Sequence, residues 1–170
     1  YIPAARDILL SGSLIPTSTI SNAHPPLLLA YLAGAWKLFG YSPLVTRCAM
    51  LLVSAFCLLG VFRLARRVAN VQVAIGSVIA LALYPVYFAQ SSMAHLDLGA
   101  AAFLMWGLDF YVADRRAPAS AFFAAAALTK ETAILFPAAL FAWELVVRLV
   151  NRQSRINNAV PIPKSPDPQV

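Results

Sequence analysis

The sequence predicts an all-α fold, a polytopic transmembrane helical bundle with interfacial helices on its outer face, and three observations predict it. Of 170 residues, 61% are hydrophobic and 12% charged, against roughly 25% charged in a soluble domain. Mean hydropathy is +0.73. The apolar residues are gathered into blocks longer than a soluble core helix requires, fenced by arginines, so the solvent being matched is lipid. A water-soluble domain is set aside on the same grounds. Nucleic acid is set aside as a partner too: the net charge is +6, but the thirteen Lys and Arg residues lie between apolar blocks rather than along one polar face with interleaved aromatics.

The elements follow in chain order. Ile2 to Leu10 carries apolar residues at helical spacing with Arg6 and Asp7 on the other face, and Ser11, Gly12 and Ser13 stop it, which describes a short amphipathic surface helix. Pro16 to Ala23 is a Ser/Thr-rich loop. Pro25 to Phe39 is apolar but holds only about fifteen residues; Tyr31, Trp36 and Lys37 suit the headgroup layer, so it is read as interfacial. Its two prolines fall in the first turn, where amide donors are unpaired anyway.

The first crossing is Cys48 to Phe62, fenced by Arg47 and Arg63, and spans about 22 Å before both arginines snorkel. The second runs from Val68 to Ala94 with Pro85 near its outer end, and the third from Leu98 to Ala113, closed by Asp114, Arg115 and Arg116. Ala119 to Thr129 and Thr132 to Val147 lie on either side of Lys130 and Glu131, giving about four crossings in all. The domains are then residues 1–46 as a first outer loop with two interfacial helices, 47–150 as the bundle with three full spans plus a short helix pair, and 151–170 as a flexible cytoplasmic tail.

Arg63, Arg66 and Arg67 form one basic cluster, Arg115 and Arg116 a second, and Arg148, Arg152 and Arg155 a third, each two apolar segments from the next. All three therefore fall on one side, which the excess of Lys and Arg marks as cytoplasmic. Gln90 to Asp97, the Lys130-Glu131 turn, and Arg47 with everything before it are placed outside. Cys48 and Cys57 sit nine residues apart in one apolar run and cannot be bridged within a helix. The chain opens on Tyr1 rather than Met, without a signal peptide, and is expected to continue upstream.

Ionisable groups at membrane depth are costly, so each is a functional candidate until a neutral explanation is found. His24 in His24-Pro25-Pro26-Leu27 can present an imidazole to an anion, or can be an ordinary loop histidine. Arg47, at the outer mouth of the first crossing, offers a planar fork suited to phosphate, or snorkels to lipid headgroups. His95 and Asp97 in the Gln90 to Asp97 turn stand two residues apart and would not share a helix face, so a joint metal site is not expected there. Lys130 and Glu131 follow a helix of about eleven residues that reaches only about 17 Å, so they lie below the outer surface and either pair with each other or line a wet cavity. Asp109 and Glu144 stand near cytoplasmic arginines, Glu144 four residues before Arg148, and are read as structural. Gly-rich phosphate loops, paired zinc ligands and a serine nucleophile elbow are missing from the sequence.

Together these residues resemble a known family. Tyr1-Ile-Pro-Ala-Ala-Arg6-Asp-Ile-Leu-Leu-Ser-Gly12, His24-Pro-Pro-Leu27, Lys37-Leu-Phe-Gly40 and Arg47 are similar to the first outer loop of the polyprenyl-phosphate-sugar glycosyltransferases, the multi-spanning GT-C enzymes of the protein O-mannosyltransferase and aminoarabinose-transferase kind. Pro85 with Gln90, Ser91 and Asp97, and the turn Leu128-Thr-Lys-Glu131, resemble later landmarks, so the likeness covers about Tyr1 to Arg155. It implies sugar transfer, with inversion, from a polyprenyl-phosphate-linked donor to a lipid or protein acceptor on the outer face of a bacterial inner membrane. It implies a catalytic base in an Asp-Glu motif a few residues before Tyr1: either this piece begins just downstream of that carboxylate, carries no catalytic residue and is inactive alone, or the base lies elsewhere. His24 stands where some members carry a lysine, and Arg47 matches an arginine near the donor phosphate. The expected donor-phosphate and substrate-binding set is His24, Arg47, Lys130, Glu131, Asp97, His95 and Arg6. No cofactor is fixed; a divalent metal ion is the one candidate. A transporter or lipid-flipping subunit, with Lys130, Glu131 and Asp97 along a translocation path, and a non-catalytic membrane scaffold are the alternatives.

Overall fold

The computed structural model of the chain describes residues 1–15 and 24–159, with side chains as far as 152. The expected loop Pro16 to Ala23 and the end of the expected tail lie outside the described residues. All regular structure among the described residues is helical, and the chain divides into two compact units, Tyr1–Ile134 and the part from Leu135 onward.

In the first unit, α1 (Ile2–Ser11) ends where Gly12 takes a left-handed conformation, φ 72°, and returns its amide to the Ile8 carbonyl, a conformation glycine adopts without penalty. Its helical stripe was read with Asp7 on the solvent side; instead Asp7 is buried along with Ala4, Ala5 and Ile8. α2 (Leu27–Phe39) buries Leu28, Leu29, Leu32, Ala33 and Trp36, the i, i+4 face that an amphipathic helix turns inward. Tyr31 donates its hydroxyl to the Ala49 carbonyl at 2.9 Å, and Trp36 donates its indole N–H to Thr46 Oγ1 at 2.9 Å. These bonds lay α2 along the start of α3 (Pro43–Val68), whose first turn is capped by the Ser42 hydroxyl accepting from the Val45 amide.

α3 and α6 (Leu96–Val112) run in the same direction. Phe56 meets Phe103, Gly60 meets Met105 and Trp106, and Arg63 and Arg67 meet Asp109, so partner numbers rise together. α7 (Arg116–Ala127) runs the opposite way, placing Phe123 on Gly107 and Thr129 on Gly99. Close approach needs small residues here, as helix packing within lipid generally does: a Cβ on Gly107 would lie 2.6 Å from the Phe123 ring. Trp106 also donates its indole N–H to the Phe56 carbonyl at 2.9 Å.

The expected second crossing is broken. α4 (Val71–Leu83) begins with Asn70 accepting from the Val73 amide and ends at Tyr84, and α5 (Pro85–Ser91) leaves at 72°. Proline 85 explains the break: it disfavours helical geometry at the preceding residue, and Tyr84 is extended, with φ −67° and ψ 122°. Tyr87 fastens the short arm, accepting from Ser54 Oγ at 3.0 Å and donating to the Ser54 carbonyl at 2.8 Å.

Crossings are correspondingly fewer by length than expected. Pro43–Val68 and Glu131–Arg152 are long and apolar enough to span a bilayer, and the bent α4–α5 pair is a third if counted as one. α6, expected as a full span, has 17 residues. The first unit ends on a 3₁₀ turn, Glu131–Ile134, and in the second unit α8 (Leu135–Ala159) is a long helix rather than half of a short pair. It also extends nine residues into the stretch read as flexible tail, Asn151 to Ala159. Within it Arg148 pairs with Glu144 at 3.2 Å, as their spacing predicts.

Candidate functional site

The parallel course of α3 and α6 puts their N-terminal ends together with the C-terminal end of α7, and the polar residues singled out in the sequence converge there. The local reasons are specific. Pro25 and Pro26 have no amide hydrogen; the first amide after them, on Leu27, donates to the Leu128 carbonyl at 3.0 Å. That bond brings the start of α2 beside the end of α7, and His24 Nδ1 lies 2.9 Å from Glu131 Oε2. Thr129, fully buried, closes α7 by donating its hydroxyl to the Ala125 carbonyl, which turns Lys130 toward α6.

Lys130 Nζ donates to Asp97 Oδ1. Asp97 occupies the first turn of α6, ahead of the apolar stretch that begins at Leu98. The Lys130 hydrogen bond holds the Asp97 carboxyl below the usual carboxylate range, and the same bond raises the Lys130 ammonium, so both stay ionised near neutral pH. Lys130 and Glu131 thus each take a partner from another element rather than each other. His95 precedes α6 in extended conformation, φ −109° and ψ 130°. It therefore escapes the helical geometry that would have separated it from Asp97, and its Nδ1 lies 3.8 Å from Asp97 Oδ2. That nitrogen is buried and has no hydrogen-bond partner among the described residues.

Tyr1 was not among the expected residues, yet its ring joins the two histidines, with centroids 5.5 Å from His24 and 5.9 Å from His95. Its only sequence signal was its place at the head of the first motif. Sequence separation hid the pairing itself, because His24 and Glu131 are 107 residues apart.

Arg47 and Arg6 lie next to this cluster rather than in it. Arg47, exposed on the second turn of α3, lines a cleft of about 280 Å³ with Ile2, Tyr41, Ser42, Ser92 and Met93 among its walls. Ile2 adjoins Tyr1, and Met93 lies two residues before His95. Arg6 stacks over the Tyr41 ring at 5.5 Å. Away from the polar groups, an apolar groove of about 680 Å³ runs between α2 and α3, lined by Tyr31, Gly34, Leu38, Val45 and Leu52. A second hollow of about 300 Å³ shares Tyr31 and Leu52 and reaches Leu27. For the divalent ion considered from the sequence, no group of three or more His, Cys, Asp or Glu among the described residues is arranged to hold a metal.

At the other end of α3 and α6, Asp109 accepts from Arg63 Nε at 3.1 Å and from Arg67 Nε at 2.7 Å and is fully buried. Arg63 also lies over the Trp106 ring at 4.9 Å. Arg115 and Arg116 follow α6 at this same end, so two of the three basic clusters share a side as expected.

Comparisons with known proteins bear on this arrangement. A family model described as dolichyl-phosphate-mannose-protein mannosyltransferase matches residues 23–162. Among solved structures the chain is similar to ArnT from Cupriavidus metallidurans in the apo state, with a TM-score of 0.71 and 25% identity, over 94% of this chain and 33% of that one. The chain therefore spans about a third of the length of that protein. No curated protein matches it.

Proposed function

The chain belongs to the dolichyl-phosphate-mannose-protein mannosyltransferase family, and from that premise we propose that it is part of a membrane glycosyltransferase moving a hexosyl or pentosyl group from a polyprenyl-phosphate-linked donor to a hydroxyl of a lipid or protein acceptor. In the reaction the acceptor oxygen attacks the anomeric carbon as the bond from that carbon to the phosphate oxygen breaks. The sugar is inverted, polyprenyl phosphate leaves, and the acceptor proton passes to a base. That base is assigned to the Asp-Glu motif of the family resemblance, and the residues described here bind and orient.

One observation carries the reading: Tyr1, His24, His95, Asp97, Lys130 and Glu131, from four separate stretches of sequence, meet at one end of the bundle beside the Arg47 cleft. The departing phosphate gains negative charge as the bond breaks, and fixed cations aimed at it are the expected stabilisers; Arg47 fits that task. The apolar groove between α2 and α3 suits the lipid tail, which can stay in the bilayer while its head enters the polar end. The arginine clusters at the opposite end support an outward-facing site, and a bacterial inner membrane is the setting proposed.

The test is a reconstitution of the full-length protein with a polyprenyl-phosphate-sugar, following release of polyprenyl phosphate and transfer to acceptor. Arg47→Ala is expected to slow turnover by about 100-fold. Unchanged turnover would remove Arg47 from phosphate stabilisation, and no consumption of any such donor by the wild type would end the glycosyl-transfer reading.

A further inference from the structure

The seven residues expected to bind the donor differ in how much of their charge is already matched. Lys130 is bound to Asp97, and His24 to Glu131. Counting Lys130 against the two carboxylates leaves that cluster with one excess negative charge when the histidines are neutral. A phosphate brought there would face both carboxylates, and breaking either pair would strand a charge. A neutral polyhydroxyl group has no such conflict: Asp97 and Glu131 each keep unused acceptor lone pairs. His95 stands beside them, its Nδ1 turned toward Asp97 Oδ2 at 3.8 Å.

The neighbouring cleft has the opposite character. Neither Arg47 nor Arg6 has a carboxylate partner among the described residues, and Arg6 rests on the face of Tyr41, a wall of that cleft. Tyr41, Ser42 and Ser92 add hydroxyls to its lining. Unmatched guanidinium groups beside hydroxyl donors describe a place for a phosphate oxyanion.

Resting on the glycosyl-transfer reading, we propose that the site divides its donor: the phosphate occupies the cleft flanked by Arg47 and Arg6, while the sugar ring lies against the His24–Glu131 and Lys130–Asp97 pairs, whose carboxylates select the sugar by its hydroxyl pattern. His24 and Lys130 then act as positioning residues that hold the two selecting carboxylates in place, in contrast to the phosphate role their charge suggested in the sequence.

The experiment separates the two halves of the donor in the full-length protein. Binding of a sugar-free polyprenyl phosphate is measured first, then kcat/KM for two polyprenyl-phosphate-sugars that are epimers at one ring hydroxyl. Arg47→Ala and Arg6→Ala are expected to weaken binding of the sugar-free phosphate by about tenfold or more, the size of a lost charge-assisted hydrogen bond, and Arg47→Lys to restore part of it. Glu131→Gln and Asp97→Asn are expected to leave that binding unchanged or tighter while cutting discrimination between the epimers by about tenfold. If His24→Ala or Lys130→Ala abolishes binding of the sugar-free phosphate and Arg47→Ala does not, the division is overturned although glycosyl transfer stands. If wild-type protein neither binds the phosphate nor consumes either donor, the parent reading falls instead.

Discussion

At one end of the α3–α6 pair a single carboxylate, Asp109, is sealed between two arginines and reached by no solvent; at the other, two carboxylates each hold one partner, Lys130 for Asp97 and His24 for Glu131, and keep nearly half of their side-chain surface exposed, 45% for Asp97 and 48% for Glu131. Arg47 and Arg63 are sixteen positions apart on one helix, about 24 Å at the rise of an α-helix. Both ends hold paired ionisable groups, so charge alone does not mark a site. What separates them is leftover capacity. Asp109 has both oxygens committed and an indole beneath one of its arginines, whereas the other end retains free acceptors, an unsatisfied imidazole nitrogen and two unmatched guanidinium groups beside a cleft.

Substitutions should separate the two regions by which property they damage. The largest effect on stability is expected from Asp109→Ala, which strands two arginines against each other; because these keep 37% and 38% of their side-chain surface exposed, the cost lies at or below the lower end of the about 3–5 kcal/mol for breaking a buried ion pair, read as loss of monodisperse protein in detergent or a fall in Tm. Gly107→Ala comes next, since its Cβ would meet the Phe123 ring at 2.6 Å and overpacking costs about 1–3 kcal/mol. Glu131→Gln is expected to leave stability nearly unchanged, as loss of an exposed pair does, while still altering donor selection. A drop in Tm with Glu131→Gln equal to that with Asp109→Ala would erase the distinction.

The smallest effect concerns pH. Asp97 is held below its ordinary value of 3.8 and Lys130 above its ordinary 10.5. The carboxylate's contribution is complete above its ordinary value and lost as pH falls through its lowered one. The ammonium's is complete below its ordinary value and lost as pH rises through its raised one. Between about pH 4 and 10 the pair therefore stays closed, and stability of the Asp97→Asn, Lys130→Ala double variant should run parallel to wild type across that window. Curves that converge within it would show the pair titrating there.

Much of this was legible in the sequence, and the reasons differ by residue. The apolar blocks and their arginine fences gave the helical membrane fold because lipid demands long unbroken apolar runs. Asp109 was read as structural because it stands near Arg115 and Arg116 in sequence, whereas its partners are Arg63 and Arg67 of α3, which sequence proximity does not show. Pro85 was noticed, but a proline in an apolar run reads as a kink or an end equally well, and packing decided for a 72° bend. The conformation of His95, outside the helix that Asp97 begins, was not readable from a spacing of two. Nor could any local pattern show that Lys130 and Glu131 would turn to opposite partners, because both partners come from distant elements. Tyr1 was marked in the sequence only as the head of the first motif; the fold set its ring against both histidines.

The account depends on the open polar end and the sealed arginine end facing opposite sides of the membrane, and cysteine accessibility tests that directly. Met93→Cys beside the Arg47 cleft and Ala117→Cys beside the Arg115–Arg116 cluster are exposed positions, to be placed singly in full-length protein carrying Cys48→Ser and Cys57→Ala. A membrane-impermeant maleimide applied to intact cells is expected to label the cysteine at 93 and to reach the one at 117 only after permeabilisation. Labelling of both from the outside, or of neither before permeabilisation, would contradict it.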